Sequence, residues 1–306
     1  MHTTAMMKER RLTFIAVFLC VVIFSFTLPI ALCKQKVALG NEEVFFKENE
    51  VKEGASDGYF LGELLASFST DFGFSSSNRR HNVKKATSLI DGTVLKEGEV
   101  FSFNAITGER TLANGYKESA TIEGGKYTTG VGGGVCQVST TLYNAVLLSG
   151  LRVERVSPHS LPVGYVPHSM DAMVSSATDF RFFNDTPYPI TIRGEVKGDT
   201  LTFKIFGFKI ITDGESVRYL SKVIKRIPME YDEVLDEGGA LEENEEYKIL
   251  KRAKEGVVSE CYKETYYNGE LISSVLIRRD YYKPERGIKL VRVKSLESEN
   301  SLEEAK

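Results

Sequence analysis

Cys136 stands directly behind four glycines, at positions 130, 132, 133 and 134, and ahead of an apolar series whose spacing is helical: Val138, Leu142, Ala145 and Val146. Gly150 sits where such a helix would stop. The spacing predicts a helix with Cys136 in its first turn, where the helix dipole and unpaired N–H groups lower a thiol pKa and raise the thiolate fraction near neutral pH. The backbone N–H groups of Cys136 and Gln137 are candidate oxyanion donors, and Gly133 and Gly134 let the chain come close to a ligand. A nucleophile in that setting suits acyl transfer through a covalent thioester.

A thiol nucleophile needs a base, and the chain has only four histidines, of which His81, His159 and His168 follow the N-terminal apolar run. His159 is the candidate partner, because it lies in the proline-stiffened segment PHSLPVGYVP after the strand-like run LRVERVS. Asp171 is the nearest carboxylate downstream and the candidate orienting group, with Ser160 as a substitute. His81, next to Arg79 and Arg80, suits a surface role, and His168 is intermediate. Arg110 is the candidate cation for a substrate carboxylate, with a plain salt bridge as its other reading. Tyr116, Tyr143 and Tyr165 are candidates to line a groove, while Ser139, Thr140 and Thr141 suit either substrate support or packing.

Composition narrows the classes. A net charge of −3 leaves no basic footprint for nucleic acid. There is no Cys-x-x-Cys or His-x-x-x-His spacing, so neither a metal site nor a cofactor is expected. Cys20 and Cys33 fall in the apolar run, leaving Cys136 and Cys261 beyond it; a disulfide between these two would defeat the nucleophile reading.

Residues 12–33 read LTFIAVFLCVVIFSFTLPIALC, long enough as a helix to span a bilayer core, and Lys8, Arg10 and Arg11 precede it. The positive flank keeps residues 1–11 in the cytoplasm and sends the rest outward. The expectation is a single-pass cell-membrane protein with an extracytoplasmic catalytic part; a cleaved signal peptide and a lipoprotein at Cys33 are the other readings. Residues 34–57 are polar and aperiodic, as in a stalk. Ala66, Phe68, Thr70 and Phe72 alternate as a strand. Residues 78–92 carry Val83, Ala86, Thr87 and Ile90 at helical spacing, with Asn78 as cap and Gly92 as stop. Val100, Phe101 and Phe103 suggest another strand, and residues 179–208 alternate around a KGDT turn as a hairpin. Residues 230–246 hold nine acidic groups, no basic one and a Gly pair, as in a linker. Residues 247–293 read as strands around a YNGE turn, and 295–306 as a frayed tail.

Several of these segments together resemble the VanW family, first named from vancomycin-resistance gene clusters: FSFN at 101, GERT at 108, GYKE at 115, GVGGGVCQVSTTLYN at 130, PHSLPVGYVP at 158 and FRFFNDTPYPITIRG at 180. The likeness runs from about Phe68 to Gly207, and the tail is similar to the G-five type of small β-domain. Members have been proposed to act as L,D-transpeptidases on peptidoglycan stem peptides through a cysteine. The resemblance therefore implies Cys136 as nucleophile and His159 as its partner, with wall peptides as partners, the bacterial membrane contacted through the N-terminal helix, and no nucleic acid. A cysteine peptidase or amidase and a non-catalytic wall-binding protein remain the alternatives. The expected fold is α+β: a mostly antiparallel sheet with a Cys-bearing helix, a transmembrane helix at 12–33, a catalytic domain at 58–210, and a small all-β module at 211–294 that includes the acidic linker.

Overall fold

A computed structural model describes residues 36–39, 42–45, 62–123, 125–208 and 214–292. The expectations for 1–11, 12–33 and 295–306 lie outside the described residues; among the described residues no helix is long and apolar enough to cross a membrane. Two short strands, β1 (Lys36–Leu39) and β2 (Glu42–Phe45), occupy part of the segment read as a stalk.

The chain then runs β3 (Glu63–Asp71), α1 (Ser77–Ile90), β4 (Val94–Leu95), β5 (Val100–Ser102), α2 (Phe103–Thr107), β6 (Glu118–Glu123), β7 (Lys126–Val131) and α3 (Val135–Leu148). It continues with β8 (Arg152–Arg155), β9 (Arg181–Phe183), β10 (Ile190–Lys197), β11 (Thr200–Gly207), β12 (Glu215–Ile227), β13 (Tyr231–Leu235), β14 (Tyr247–Lys251), β15 (Gly256–Tyr267), β16 (Glu270–Tyr282) and β17 (Gly287–Val291). The sheets are β3-β11-β10-β4, β5-β9-β8, β6-β7, β16-β15-β12-β1-β2 and β13-β17-β14. Pairing is antiparallel except for β1 with β12 and β13 with β17, so the fold is a sheet-rich α+β arrangement with few helices.

Local chemistry sets these elements. The β10–β11 hairpin turns at Gly198, whose φ of 58° suits a two-residue connection, and β15–β16 turns at Asn268 and Gly269, both with positive φ. Alternate residues of β3 and β11, Ala66, Phe68, Leu201, Phe203 and Ile205, point to one buried face. Against that face packs α3, whose Val138, Leu142, Ala145 and Val146 are fully buried. Each such side chain stabilises the fold by roughly 1.5–3 kcal/mol, the smaller Ala by less. This burial fixes the helix that carries Cys136 on the sheet.

Three local expectations are corrected. The cap of α1 is Ser76, whose hydroxyl accepts from the Arg79 N–H at 3.3 Å, while the Asn78 side chain reaches away to the Glu118 carbonyl. The helix runs to Ile90 with Asp91 as its C-cap, and Gly92 follows with φ of 82° as the stop glycine that the sequence marks, its N–H bonding the Ile192 carbonyl. Phe103 opens α2 instead of extending β5, because the Ser102 hydroxyl caps the Ala105 N–H. The acidic stretch is not only a linker: residues 231–235 form β13, in parallel register with β17, and Arg286 pairs with Glu230 and Asp232.

Candidate active site

The glycines before Cys136 permit close packing as well as a turn. A Cβ on Gly133 would lie 2.5 Å from the Ala120 carbonyl oxygen, so the β6–β7 hairpin presses directly on this backbone. Gly134, the residue before α3, has φ of 105°, a conformation L side chains avoid. Val135 then begins the helix and Cys136 lies in its first turn.

Cys136 is partly exposed, and its thiol donates to the Val174 carbonyl at 3.3 Å. The thiol also hydrogen-bonds the His159 ring. His159 Nδ1 is 2.6 Å from Asp171 Oδ2, and the same oxygen accepts the His159 backbone N–H at 2.6 Å. With Nδ1 donating to the carboxylate, Nε2 is the ring atom that serves the sulfur. Both partners are buried, His159 to 5% exposure and Asp171 to 1%. The structure therefore brings Cys136, His159 and Asp171 into one row, the arrangement in which a carboxylate orients an imidazole toward a nucleophile.

Charge placement follows from these contacts. Burial pushes the Cys136 thiol up, but the His159 hydrogen bond and charge, the Val174 bond and the Arg110 charge outweigh it and leave the pKa below its ordinary value. For His159, burial pulls downward, while the bonds to Asp171 and Cys136 dominate and push it up to about 9. Burial pushes Asp171 upward, and the bonds and charges of His159, Arg278 and Tyr282 hold it lower still. Both shifts favour the thiolate–imidazolium form of the pair beside a carboxylate. Iodoacetamide alkylation of Cys136 is expected to rise with pH through a midpoint below the roughly 8.5 of a free thiol and to change again near pH 9 as His159 loses its proton. A single midpoint at the free-thiol value would contradict the pair.

Around the sulfur opens a cleft of about 1090 Å³, also lined by Arg79, Glu109, Arg110, Tyr127 and Tyr165. Arg110 reaches it with one guanidinium nitrogen 2.7 Å from Asn104 Oδ1 and its plane over Phe103, and burial lowers its pKa. Tyr165 is pushed up, first by burial and then by the negative charge of Cys136.

Other predicted site residues sit elsewhere. The Gln137 N–H already bonds the Gly134 carbonyl at 3.0 Å, so it is not an oxyanion donor. Its buried side chain ties α3 to Thr70, Asp71 and Arg79. Among the described residues no backbone carbonyl takes the Cys136 N–H, which leaves that donor available on the residue that carries the thiol. Ser139 and Thr140 are fully buried and face the protein: the Ser139 hydroxyl donates to the Ala172 carbonyl at 2.6 Å, and Thr140 Oγ1 accepts the Ala172 N–H at 2.9 Å. They support the Asp171 segment and do not touch the cleft. Tyr116 and Tyr143 are buried, Tyr116 on the Thr107 carbonyl and Tyr143 against Phe180, so neither lines the groove. His81 bonds the Gly115 carbonyl, and the His168 ring lies tilted against Tyr282. Cys136 and Cys261 are both free; Cys261 is sealed in β15, and burial pushes its thiol up to about 12.

Two groups behind Asp171 escaped the sequence reading. The Tyr282 hydroxyl donates to Asp171 Oδ1 at 2.5 Å, and an Arg278 nitrogen donates to the Asp171 carbonyl at 2.7 Å. Both lie on β16, more than a hundred residues downstream, and no local pattern marks them.

The profile of the family "VanW like protein" matches residues 78–206. The chain is 39% identical to the uncharacterized protein YoaR of Bacillus subtilis (strain 168) over 169 residues, 55% of this chain and 55% of that protein. It is 30% identical to the vancomycin B-type resistance protein VanW of Enterococcus faecalis (strain ATCC 700802 / V583) over 138 residues, 43% of this chain and 50% of that protein. The chain thus spans about half the length of the curated relatives it matches. Among solved structures, it is similar to an HP0197-G5 crystal structure, with 14% identity, 25% of this chain and 93% of that chain covered, and a TM-score of 0.17. It is likewise similar to an IgA1 protease G5 domain, with 17% identity, 26% and 94% covered, and a TM-score of 0.18. The matched segment 78–206 holds most of α1, the glycine run and all three of Cys136, His159 and Asp171, and it is in this segment that the chain is similar to the VanW family.

Proposed function

We propose that the chain is a cysteine-dependent acyltransferase of the L,D-transpeptidase type, acting on peptidoglycan stem peptides outside the cytoplasm. The observation that carries this reading is the row Cys136–His159–Asp171 opening on a large cleft. The wall context is supported by the family and by the resistance protein named among its relatives. The apolar run at 12–33 supports a membrane-held chain whose catalytic part faces outward.

In this mechanism the Cys136 thiolate adds to the carbonyl between the third and fourth residues of a tetrapeptide stem. The oxyanion forms beside the Cys136 N–H. His159, holding the proton, gives it to the departing amine as the C–N bond breaks, and the terminal D-residue leaves a thioester on Cys136. An amino group of a neighbouring stem then enters, His159 takes its proton, and collapse of the second adduct forms the new amide and releases the thiolate. Arg110, with Arg79 in the same cleft, offers positive charge to substrate carboxylates.

Incubating the full chain with tetrapeptide muropeptides tests the reading by its products. Cross-linked dimers are the expected outcome. Shortened monomers alone would replace transfer with hydrolysis by the same nucleophile, and unchanged muropeptides would point to a non-catalytic wall binder.

A further inference from the structure

We infer that the C-terminal sheet is part of the acyl-transfer machinery, with Tyr282 and Arg278 of β16 as positioning residues that fix Asp171 and, through it, the His159–Cys136 pair. The inference rests on the acyltransferase reading and deepens it, because it places part of the machinery beyond the segment 78–206 that defines the family match.

His159 and Asp171 lie on an irregular segment between β8 and β9 that contains Pro158, Pro162 and Pro167. A loop holds a carboxylate within a fraction of an ångström of an imidazole only if its own backbone and side chain are fixed from outside. One side is held by α3, through Ser139 and Thr140 on Ala172 and through the Asn144 amide on the Met170 carbonyl at 2.8 Å. The other side is held by the C-terminal strands. Ser221 of β12 donates to the His168 carbonyl at 2.7 Å, Ser259 of β15 meets the Ser169 hydroxyl at 2.6 Å, and the Lys283 N–H bonds the Ser160 carbonyl at 2.9 Å.

The most direct contacts reach the carboxylate residue itself. Asp171 Oδ2 is occupied by His159, and Oδ1 takes the Tyr282 hydroxyl at 2.5 Å. Tyr282 oxygen in turn accepts the Ser169 N–H at 2.7 Å, which directs its single proton to Asp171. Ser169 has φ of 61°, an uncommon conformation for a residue other than glycine, and it is held between Tyr282 and Ser259 two residues from Asp171. Arg278 donates to the Asp171 carbonyl and is itself anchored on Asp280 at 2.8 Å. Tyr282 is buried and the Arg278 side chain is only 9% exposed, so these bonds are largely shielded from water. Neither residue touches the cleft, and both act through Asp171.

The test uses the full chain and follows iodoacetamide alkylation of Cys136 against pH, read by the mass of its peptide, for wild type and Tyr282→Phe, with a thermal melt of each. Removing one hydroxyl takes a charge-directed bond from Asp171, weakens its hold on the His159 imidazolium and raises the Cys136 pKa. Alkylation at pH 7 is expected to fall about three- to tenfold, with the rising arm moved to higher pH. A merely structural role would lower the melting temperature and leave the profile of the folded protein where it was. If the variant does not stay folded, Arg278→Lys, which keeps a cation for Asp280 but loses the bond to the Asp171 carbonyl, is read in the same way. A variant profile superimposed on a wild-type profile with a depressed midpoint overturns the inference and leaves the acyltransferase reading standing. A wild-type profile with an ordinary thiol midpoint overturns both.

Discussion

Cys136→Ala is expected to lower acyl transfer from a stem-peptide donor by about 10³-fold or more, because no other described group in the cleft can form the covalent intermediate. The cleft offers hydroxyls such as Ser119, Thr121 and Thr129, but none of these is paired with His159, whose proton chemistry is directed at the sulfur. Stability should change little, within about 1 kcal/mol, since the thiol is partly exposed and its protein bonds are to Val174 and His159. Cys136→Ser should lose nearly as much, because an alcohol stays protonated where the thiol ionises. Rates from product analysis, set beside melting curves, separate loss of chemistry from loss of fold. A variant that kept a tenth or more of the wild-type rate would remove Cys136 from the reaction.

Asp171→Asn is the second large effect. The carboxylate accepts from the His159 backbone N–H, the His159 ring and the Tyr282 hydroxyl, and an amide cannot accept from all three while its NH₂ group faces one of them. It also removes the charge that keeps His159 protonated. Activity is expected to fall about 10²- to 10⁴-fold, by analogy with carboxylates that orient a catalytic imidazole. Stability should fall by about 1–3 kcal/mol for the unsatisfied buried donor. The pH dependence has a defined sign. Asp171 has a folded pKa below its unfolded value, so it contributes stability that is present above about pH 4 and lost as pH falls through the depressed folded value. Wild type should therefore lose stability in acid more steeply than Asp171→Asn, a difference measurable by denaturant unfolding at pH 7 and pH 3. Equal slopes would mean that the carboxylate is not held as the geometry requires.

Position along the chain and residue chemistry made part of the site legible. The glycine run followed by helical apolar spacing locates Cys136 at a helix start, and the prolines around His159 with Asp171 downstream mark the segment that faces it. Misassignments came from residues whose chemistry is satisfied inside the protein. Ser139, Thr140 and Thr141 suit substrate support as well as packing by position alone, yet α3 is buried on nearly every side; Thr141 bonds the Gln137 carbonyl one turn back, and Ser139 and Thr140 clasp Ala172. Gln137 looked free at the helix start, but tight closure of the first turn onto Gly134 uses its N–H. Tyr282 and Arg278 were illegible for a different reason. Each lies on a strand of alternating character, and its role exists only once β16 reaches the Asp171 loop across a long sequence separation. The same holds for the fold: the β10–β11 and β15–β16 hairpins are written in their turns, whereas the parallel pairing of β13 with β17 is a long-range contact that an acidic sequence conceals.

Intact-mass measurement of the full chain incubated with a tetrapeptide donor, without an acceptor amine, tests covalent chemistry at Cys136 most directly. A mass increase equal to the donor minus the free D-amino acid it releases, mapped by peptide mass to Cys136 and absent from Cys136→Ala, is the expected result. No adduct from short to long incubation, or an adduct that persists in Cys136→Ala, would contradict it.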